Sequence, residues 1–276
     1  MAIRYVYTHT LTHLHKSSDE ADLSTSTTMR NMHDTIRLPK DADSTLLNSL
    51  ATKFRAFKLH ALQVAPEAFP AQFDSESWLP QSTWLSRITG LSTTILICVA
   101  TEKDKDKKPS TCCDTQLRIS LDGEWAGTFT MIGPVSRDDY IWAKSGQPEP
   151  GPEGSETRWQ LTTLFTLPAY RGHGIAKLLI EAAFRFGKLV SDKTGRASER
   201  DVQTRIRLVV HPDNTGVVKM YEKFGFVDSA RMTVAEACIA NGAADTVPRC
   251  TDLEKWHSRF GVAMELHVWS RITVGV

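Results

Sequence analysis

The residues best suited to chemistry fall in two runs. The first, Pro168-Ala169-Tyr170-Arg171-Gly172-His173-Gly174-Ile175-Ala176-Lys177, follows an aromatic and β-branched stretch, Trp159–Leu167, and leads into a stretch of helical periodicity. Two glycines at that junction permit a tight strand-to-helix turn, because glycine alone enters positive φ without steric cost. The first amides of a helix lack internal acceptors and carry the positive end of the aligned peptide dipoles. A turn of this kind holds a phosphate or pyrophosphate, with Arg171 adding a fixed positive charge. It also serves as a plain connection, and a bare Gly-x-Gly leaves both readings open. A Rossmann fingerprint requires a third small residue where Lys177 stands, and a P-loop requires Gly-Lys followed by Ser or Thr, which this run lacks. What remains is Arg-x-x-Gly-x-Ala, met by Arg171, Gly174 and Ala176.

The second run begins about forty residues downstream. Arg205–Val210 is apolar and β-branched enough for a strand; then come His211-Pro212-Asp213-Asn214, Val217, Val218, Tyr221 and Phe224 at helical spacing, and Gly225 as a C-terminal cap. Asn214 is a natural helix N-cap. Tyr221 is an aromatic in the helix's apolar stripe and also a proton donor; His211, with an imidazole pKa ordinarily about 6.5, is the titratable group nearest the strand end.

The elements that must position these residues are legible at coarse grain. After the glycines, Ile175, Leu178, Leu179, Ala182, Phe186, Leu189 and Val190 form one apolar helical face, with Lys177, Glu181, Arg185 and Lys188 opposite. Upstream, Thr35–Leu38 reads as a short strand. Asp43 and Ser44 are N-caps for a helix whose face is Leu46, Leu47, Leu50, Phe54, Phe57 and Ala61 and which ends before Pro66. A helix is expected near Gln81–Thr89 and a buried strand over Thr93–Ala100. The Lys- and Asp-rich segment Thr101–Asp114 reads as a solvated hairpin tip or insertion. Leu117–Leu121 and Glu124–Ile132 flank Asp122-Gly123, which suggests a hairpin. Residues 144–157 form a loop of proline, glycine and charge without core-forming residues, and Ser191–Thr204 reads as a polar connection. A short amphipathic piece is expected at Thr233–Ala240 and a last strand at Val262–Trp269.

Composition bounds the rest. The chain has 276 residues, a net charge of +1, 41% hydrophobic and 24% charged residues. There is material for a large core and no global field to recruit nucleic acid or a membrane surface. Five cysteines have neither zinc spacing nor a secreted-framework pattern, and His9, His13, His15 and His33 are too loosely spaced for a metal site. No transmembrane window, signal peptide or presequence pattern is present, so a cytoplasmic protein is expected, with the nucleus open.

The two runs, in this order and spacing, resemble the acetyl-CoA-binding motif and the strand–Asn–helix–Tyr–Gly-Phe segment of the GCN5-related N-acetyltransferases, the GNAT superfamily. The resemblance implies an α/β (α+β) fold: a central mixed, mostly antiparallel sheet of about six to seven strands flanked by helices, with splayed central strands forming the acetyl-CoA cleft. It implies a single domain over 34–276, with insertions near 101–114, 144–157 and 228–258, after a disordered extension over 1–33. Backbone groups of Leu164, Phe165 and Thr166 would hold the pantetheine arm and the acetyl carbonyl. The amides of Gly172, His173, Gly174, Ile175, Ala176 and Lys177, with Arg171, would hold the pyrophosphate, and Asn214 the cofactor arm.

By the same resemblance Tyr221 would protonate the departing thiolate. Pro66-Glu67-Ala68-Phe69 is similar to the family segment beside the acceptor, which makes Phe69 and Phe73, and after them Trp78 and Trp84, candidate acceptor-site residues or simple packing residues. Trp256 and His257, in the 228–258 insertion, would lie on the acceptor side. The pattern is broken where some members carry a basic glutamate, eleven residues before Arg171: here it is Gln160. The base is then open among His211, a water relay to Glu156 or Asp139, and an acceptor amine already neutral. The implied activity is direct transfer of an acetyl group from acetyl-CoA to a primary amine of a small molecule or protein, in a ternary complex and without a metal. The alternative is an acyl-CoA-binding module with little turnover; nothing specific favours O-acyl transfer. No nucleic-acid or membrane partner is implied, and monomer and homodimer are both open.

Overall fold

The computed structural model describes residues 32–66, 69, 71–101, 113–248 and 254–269. Its strands are β1 (Met32–Arg37), β2 (Thr93–Thr101), β3 (Glu124–Ile132), β4 (Glu156–Thr166), β5 (Gln203–Val210), β6 (Val227–Met232) and β7 (Gly261–Trp269). They form one sheet in the order β1-β2-β3-β4-β5-β7-β6, antiparallel except for the parallel pair β4–β5. The helices are α1 (Ser44–Val64), α2 (Phe73–Ser77), α3 (Gln81–Thr89), α4 (Cys113–Asp122), α5 (Arg137–Tyr140), α6 (Ile175–Ser198), α7 (Thr215–Lys223) and α8 (Val234–Ala240).

The local chemistry explains the helix ends. Asp43 caps α1 by accepting the Leu46 amide at 3.0 Å, and Leu50, Phe54, Phe57 and Ala61 form its buried face. Thr233 and Glu236 make a reciprocal capping box at the start of α8. Two cores flank the sheet. On one face α1 and α3 pack Phe54, Phe57, Trp84 and Ile88 onto Ile95, Ile97 and Val99 of β2. On the other, Ile175, Leu179, Ile180 and Ala183 of α6 pack onto Phe129, Met131, Trp159 and Leu161.

Four expectations need correction. The hairpin over Leu117–Ile132 is a helix, α4, followed by β3. Leu117, Ile119 and Leu121 fit a period of two, yet all three pack on this core, because α4 meets both α1 and β2 and so buries more than one side. Gly123 ends the helix, its amide reaching the Ile119 carbonyl, and a Cβ there would collide with Val99. Ser191–Thr204 is also no polar connection, since α6 runs to Ser198. Gly187, Ser191 and Gly195, one turn apart, are buried against the sheet, and the Ser191 hydroxyl lies 2.5 Å from that of Thr157 and 2.6 Å from that of Thr204. A helix face of glycine and serine has no apolar stripe to announce it. Thirdly, the 144–157 loop ends at Ser155, since Glu156 and Thr157 already belong to β4; Arg158 and Arg205 donate to its carbonyls at Gly151, Pro152, Pro148 and Glu149. Lastly, residues 32 and 33 of the expected extension belong to β1; residues 1–31, and 102–112 of the Lys- and Asp-rich segment, lie outside the described residues.

Candidate active site

The central strands separate partway along their length. Pairing of β4 with β5 runs from Glu156↔Gln203 to Leu161↔Leu208; β4 then continues alone on that side to Thr166. The opposite edge of β4 carries a bulge. Thr128 faces Phe165 and Thr130 faces Thr162, so two steps on β3 answer three on β4. Thr163 absorbs the extra residue at φ 55°, and its hydroxyl donates to that of Thr130 at 2.9 Å. The bulge reverses side-chain parity. Trp159 and Leu161 enter the α6-side core, whereas Phe165 enters the α1-side core and Leu164 packs on the α6 side.

After β4 the chain makes a single turn of 3₁₀ helix at Pro168–Tyr170 and then an open turn into α6. Gly172 and Gly174 have φ of 82° and 78°, and a Cβ on either would meet nothing within 4 Å. These glycines are required by backbone conformation rather than by close packing. The first helical bond is from the Leu178 amide to the Gly174 carbonyl, at 3.0 Å. Among the described residues the amides of Gly172, His173, Gly174, Ile175, Ala176 and Lys177 make no backbone hydrogen bond of good geometry, and residues 171–174 are exposed. These amides open a 24-residue helix, with Gly172, His173, Gly174 and Lys177 exposed and Ile175 buried. Arg171 stands beside them, its Nε donating to the Thr166 carbonyl at 3.4 Å and its guanidinium 5.9 Å from the Phe165 ring.

Sequence reasoning missed a neighbour of this turn. His33, on β1, has its ring 6.4 Å from that of His173 and edge-on to Tyr170 at 6.2 Å. Burial, and then His173, push its pKa down.

Several expected residues come together. Leu164, Ile175 and Tyr221 share the α6-side core. Tyr221 is 4% exposed, its ring 5.4 Å from that of Phe226. Burial raises its phenol well above the ordinary value, so it stays protonated throughout the neutral range. Asn214 caps α7, its Oδ1 accepting the Val217 amide at 3.4 Å. Phe69 and Phe73 lie on the other face with Phe165, the Phe69 ring tilted 46° against it at 5.3 Å. Trp84 is fully buried core and Trp78 is exposed. His211 joins neither group: it is exposed, with Nδ1 accepting the Asp213 amide at 3.3 Å.

On the Phe165 face lies a lysine that no motif announced. Lys58 of α1 holds its Nζ 3.6 Å above the Phe69 ring. Burial pulls its pKa down to about 7, against the upward pull of Glu76, whose carboxylate is itself held by Arg87 at 2.5 and 3.0 Å.

Gln160 is buried and committed on both ends, accepting from Arg207 Nε at 2.8 Å and donating to Asn241 Oδ1 at 2.9 Å. Glu156, at the opposite end of β4, is ion-paired to Arg158 at 2.8 Å, and Asp139 lies in α5. Among the described residues no cluster of His, Cys, Asp or Glu is arranged to hold a metal. Cys98 and Cys238 are buried, and burial pushes the Cys98 thiol up to about 12.

The protein is thus an α/β protein whose mixed sheet opens between β4 and β5 beside the turn that leads into α6. Residues 106–226 match the model of the acetyltransferase (GNAT) family. Among solved structures, Arabidopsis thaliana NAA60 in complex with acetyl-CoA is 14% identical with a TM-score of 0.43, over 86% of this chain and 98% of that one. The aminoglycoside N-acetyltransferase AAC(6')-Iy with a bisubstrate analogue is 17% identical with a TM-score of 0.40, over 73% and 95%. A GNAT-family acetyltransferase from Staphylococcus aureus Mu50 is 9% identical with a TM-score of 0.38, over 86% and 99%. No curated protein gives a match. No helix among the described residues is long and apolar enough to cross a membrane.

Proposed function

We propose that this protein is an acetyl-CoA-dependent N-acetyltransferase that transfers the acetyl group directly to a primary amine. The observation that carries the reading is the coincidence of two features on one strand. β4 leaves β5 beyond Leu161, and the chain that continues from it presents the unpaired amides of Gly172 to Lys177. The residues fit coenzyme A: the amides and Arg171 suit the diphosphate, and the free edge of β4 over Leu164–Thr166 suits the amide-bearing pantetheine arm. When bound, acetyl-CoA supplies an acyl thioester as the activated donor.

The chain's own residues supply the rest. Backbone N–H groups of β4 past Leu161 face no strand on the β5 side and are available to the acetyl oxygen, whose charge grows in the transition state. Tyr221 keeps its proton because it is buried, and donation to the leaving thiolate then requires that the bound thiolate be the stronger base. Gln160 takes no proton, so the acceptor amine must lose its own to water or arrive neutral. Thiol release from acetyl-CoA, measured across a panel of primary amines, tests the reading: turnover with at least one amine is expected. Tight CoA binding without turnover on any amine would instead favour a binding module, the reading that Gln160 supports.

A further inference from the structure

With the diphosphate on the turn that opens α6, the sheet face away from α6 is the side left for the acceptor. β4 past Leu161 is free of β5, and Phe165 on that stretch turns its ring to this face, where it meets the Phe69 ring at 5.3 Å. Lys58 of α1 places Nζ over the same Phe69 ring, 3.6 Å from its centroid. One aromatic ring therefore separates this amino group from Phe165, whose backbone lies on the free stretch of β4.

The amino group has no fixed partner. Among the described residues Lys58 makes no hydrogen bond and no ion pair. The charged groups that act on it from α2 and α3, Glu76 and Arg87, are occupied with each other, Arg87 donating to both Glu76 oxygens at 2.5 and 3.0 Å. Unlike the sealed, partnerless nitrogens of His33, Arg55, Trp84 and Trp142, Lys58 Nζ still reaches solvent-accessible space. An ammonium that has lost most of its hydration and gained no counter-ion gives up its proton readily, and burial holds the Lys58 pKa down to about 7. Near neutral pH its lone pair is available, as that of an ordinary lysine is not.

We propose that Lys58 Nζ is the proton acceptor for the amine that is acetylated, reached through one intervening water on the Phe69 side of the cleft. The inference rests on the acetyltransferase reading and deepens it. The acceptor ammonium gives one proton to the water, which passes one of its own to Nζ. The amine lone pair then forms the N–C bond at the thioester carbon, and the C–S pair leaves with the thiolate. Tyr221 protonates the thiolate, the second amine proton restores the phenol, and Lys58 returns its proton to bulk water, so each turnover releases one proton. The Glu76–Arg87 pair fits the same logic. An unpaired Glu76 would hold Lys58 protonated, whereas Arg87 takes up that carboxylate.

Steady-state kinetics on the full chain tests this with two kinds of acceptor: strongly basic primary amines, which arrive charged at neutral pH, and weakly basic ones, which arrive neutral. Lys58→Met and Lys58→Arg are expected to lose about 10²-fold or more in kcat/KM with the first kind and little with the second, because a neutral amine needs no base. Arginine keeps the charge but takes no proton, which separates proton transfer from a merely structural charge. In the wild type kcat for a strongly basic amine should rise to a plateau with its midpoint at about 7, where Lys58 loses its proton; in both variants it should keep rising toward the amine's own pKa. Equal losses with both kinds of amine, a plateau that survives in the variants, or wild-type rates in Lys58→Arg overturn the proposal. If the wild type acetylates an amine and both variants match it, Lys58 alone falls. If the wild type binds CoA in parallel calorimetry but turns over no amine, the acetyltransferase reading falls and the proton acceptor with it.

Discussion

Gln160 accepts a hydrogen bond from Arg207 across the last register step but one before β4 and β5 separate. This contact fixes the chemistry of the cleft's closed end: a neutral amide stands where a carboxylate would pair with the guanidinium and be held ionised as a poor base. On the proposed reading, Gln160 takes no part in deprotonating the acceptor, and the protein's contribution is expected in positioning and in proton donation.

Tyr221→Phe removes the donor and keeps the ring that packs on Phe226. The expected result is a loss of about 10²-fold or more in kcat, with CoA affinity and Tm nearly unchanged. Steady-state kinetics with calorimetry in parallel checks this, and an unchanged kcat would remove Tyr221 from the mechanism.

The same burial sets a pH dependence. The phenol of Tyr221 is raised above its ordinary value of about 10, so its acidic form persists through that pH. No alkaline fall in kcat is expected below about pH 10. A descending limb centred near pH 8 would have to come from another group.

Lys58 is predicted to cost stability. Its pKa falls to about 7 in the folded protein, against about 10.4 unfolded, so the folded state binds fewer protons between these values. Stability then rises with pH through that window, and below about 7 the full cost is present. Lys58→Met should stabilise the protein by about 1–2 kcal/mol near pH 7, and the advantage should shrink by pH 10. Urea unfolding of both proteins at several pH values is the measurement; a constant difference would contradict the account.

The close approach of α6 to the sheet yields a stability prediction. A Cβ at Gly187 would sit 3.2 Å from Thr204 Cγ2 and 3.6 Å from Trp159 Nε1. Gly187→Leu should cost about 1–3 kcal/mol through overpacking, read as a lowered urea midpoint. An unchanged midpoint would mean that α6 can move off the sheet freely.

What was legible in the sequence is local. Glycines at the turn, the Asn214 cap, the Tyr221 stripe and the strand before Pro168 each follow from residues a few positions apart. The contact of Gln160 with Arg207 and Asn241 was not legible, because its members come from three separate segments and an arginine alternating along a strand reads as solvated until something is seen to cover it. The bulge at Thr163 left no mark either: threonine is ordinary in a strand, and only the register with β3 shows the parity reversal that sends Phe165 toward Phe69. The hairpin expected around Asp122-Gly123 failed because alternation over five residues does not separate a strand from a helix buried on more than one side.

The central claim is that the unpaired amides opening α6 grip the diphosphate of coenzyme A. Gly174→Glu places a negative charge on that turn and a side chain on a backbone at φ 78°, where the added Cβ itself meets no neighbour. With far-UV circular dichroism confirming the fold, calorimetric titration with CoA should show affinity reduced by about 100-fold, from the combined strain and repulsion. Wild-type affinity in that variant would contradict the account.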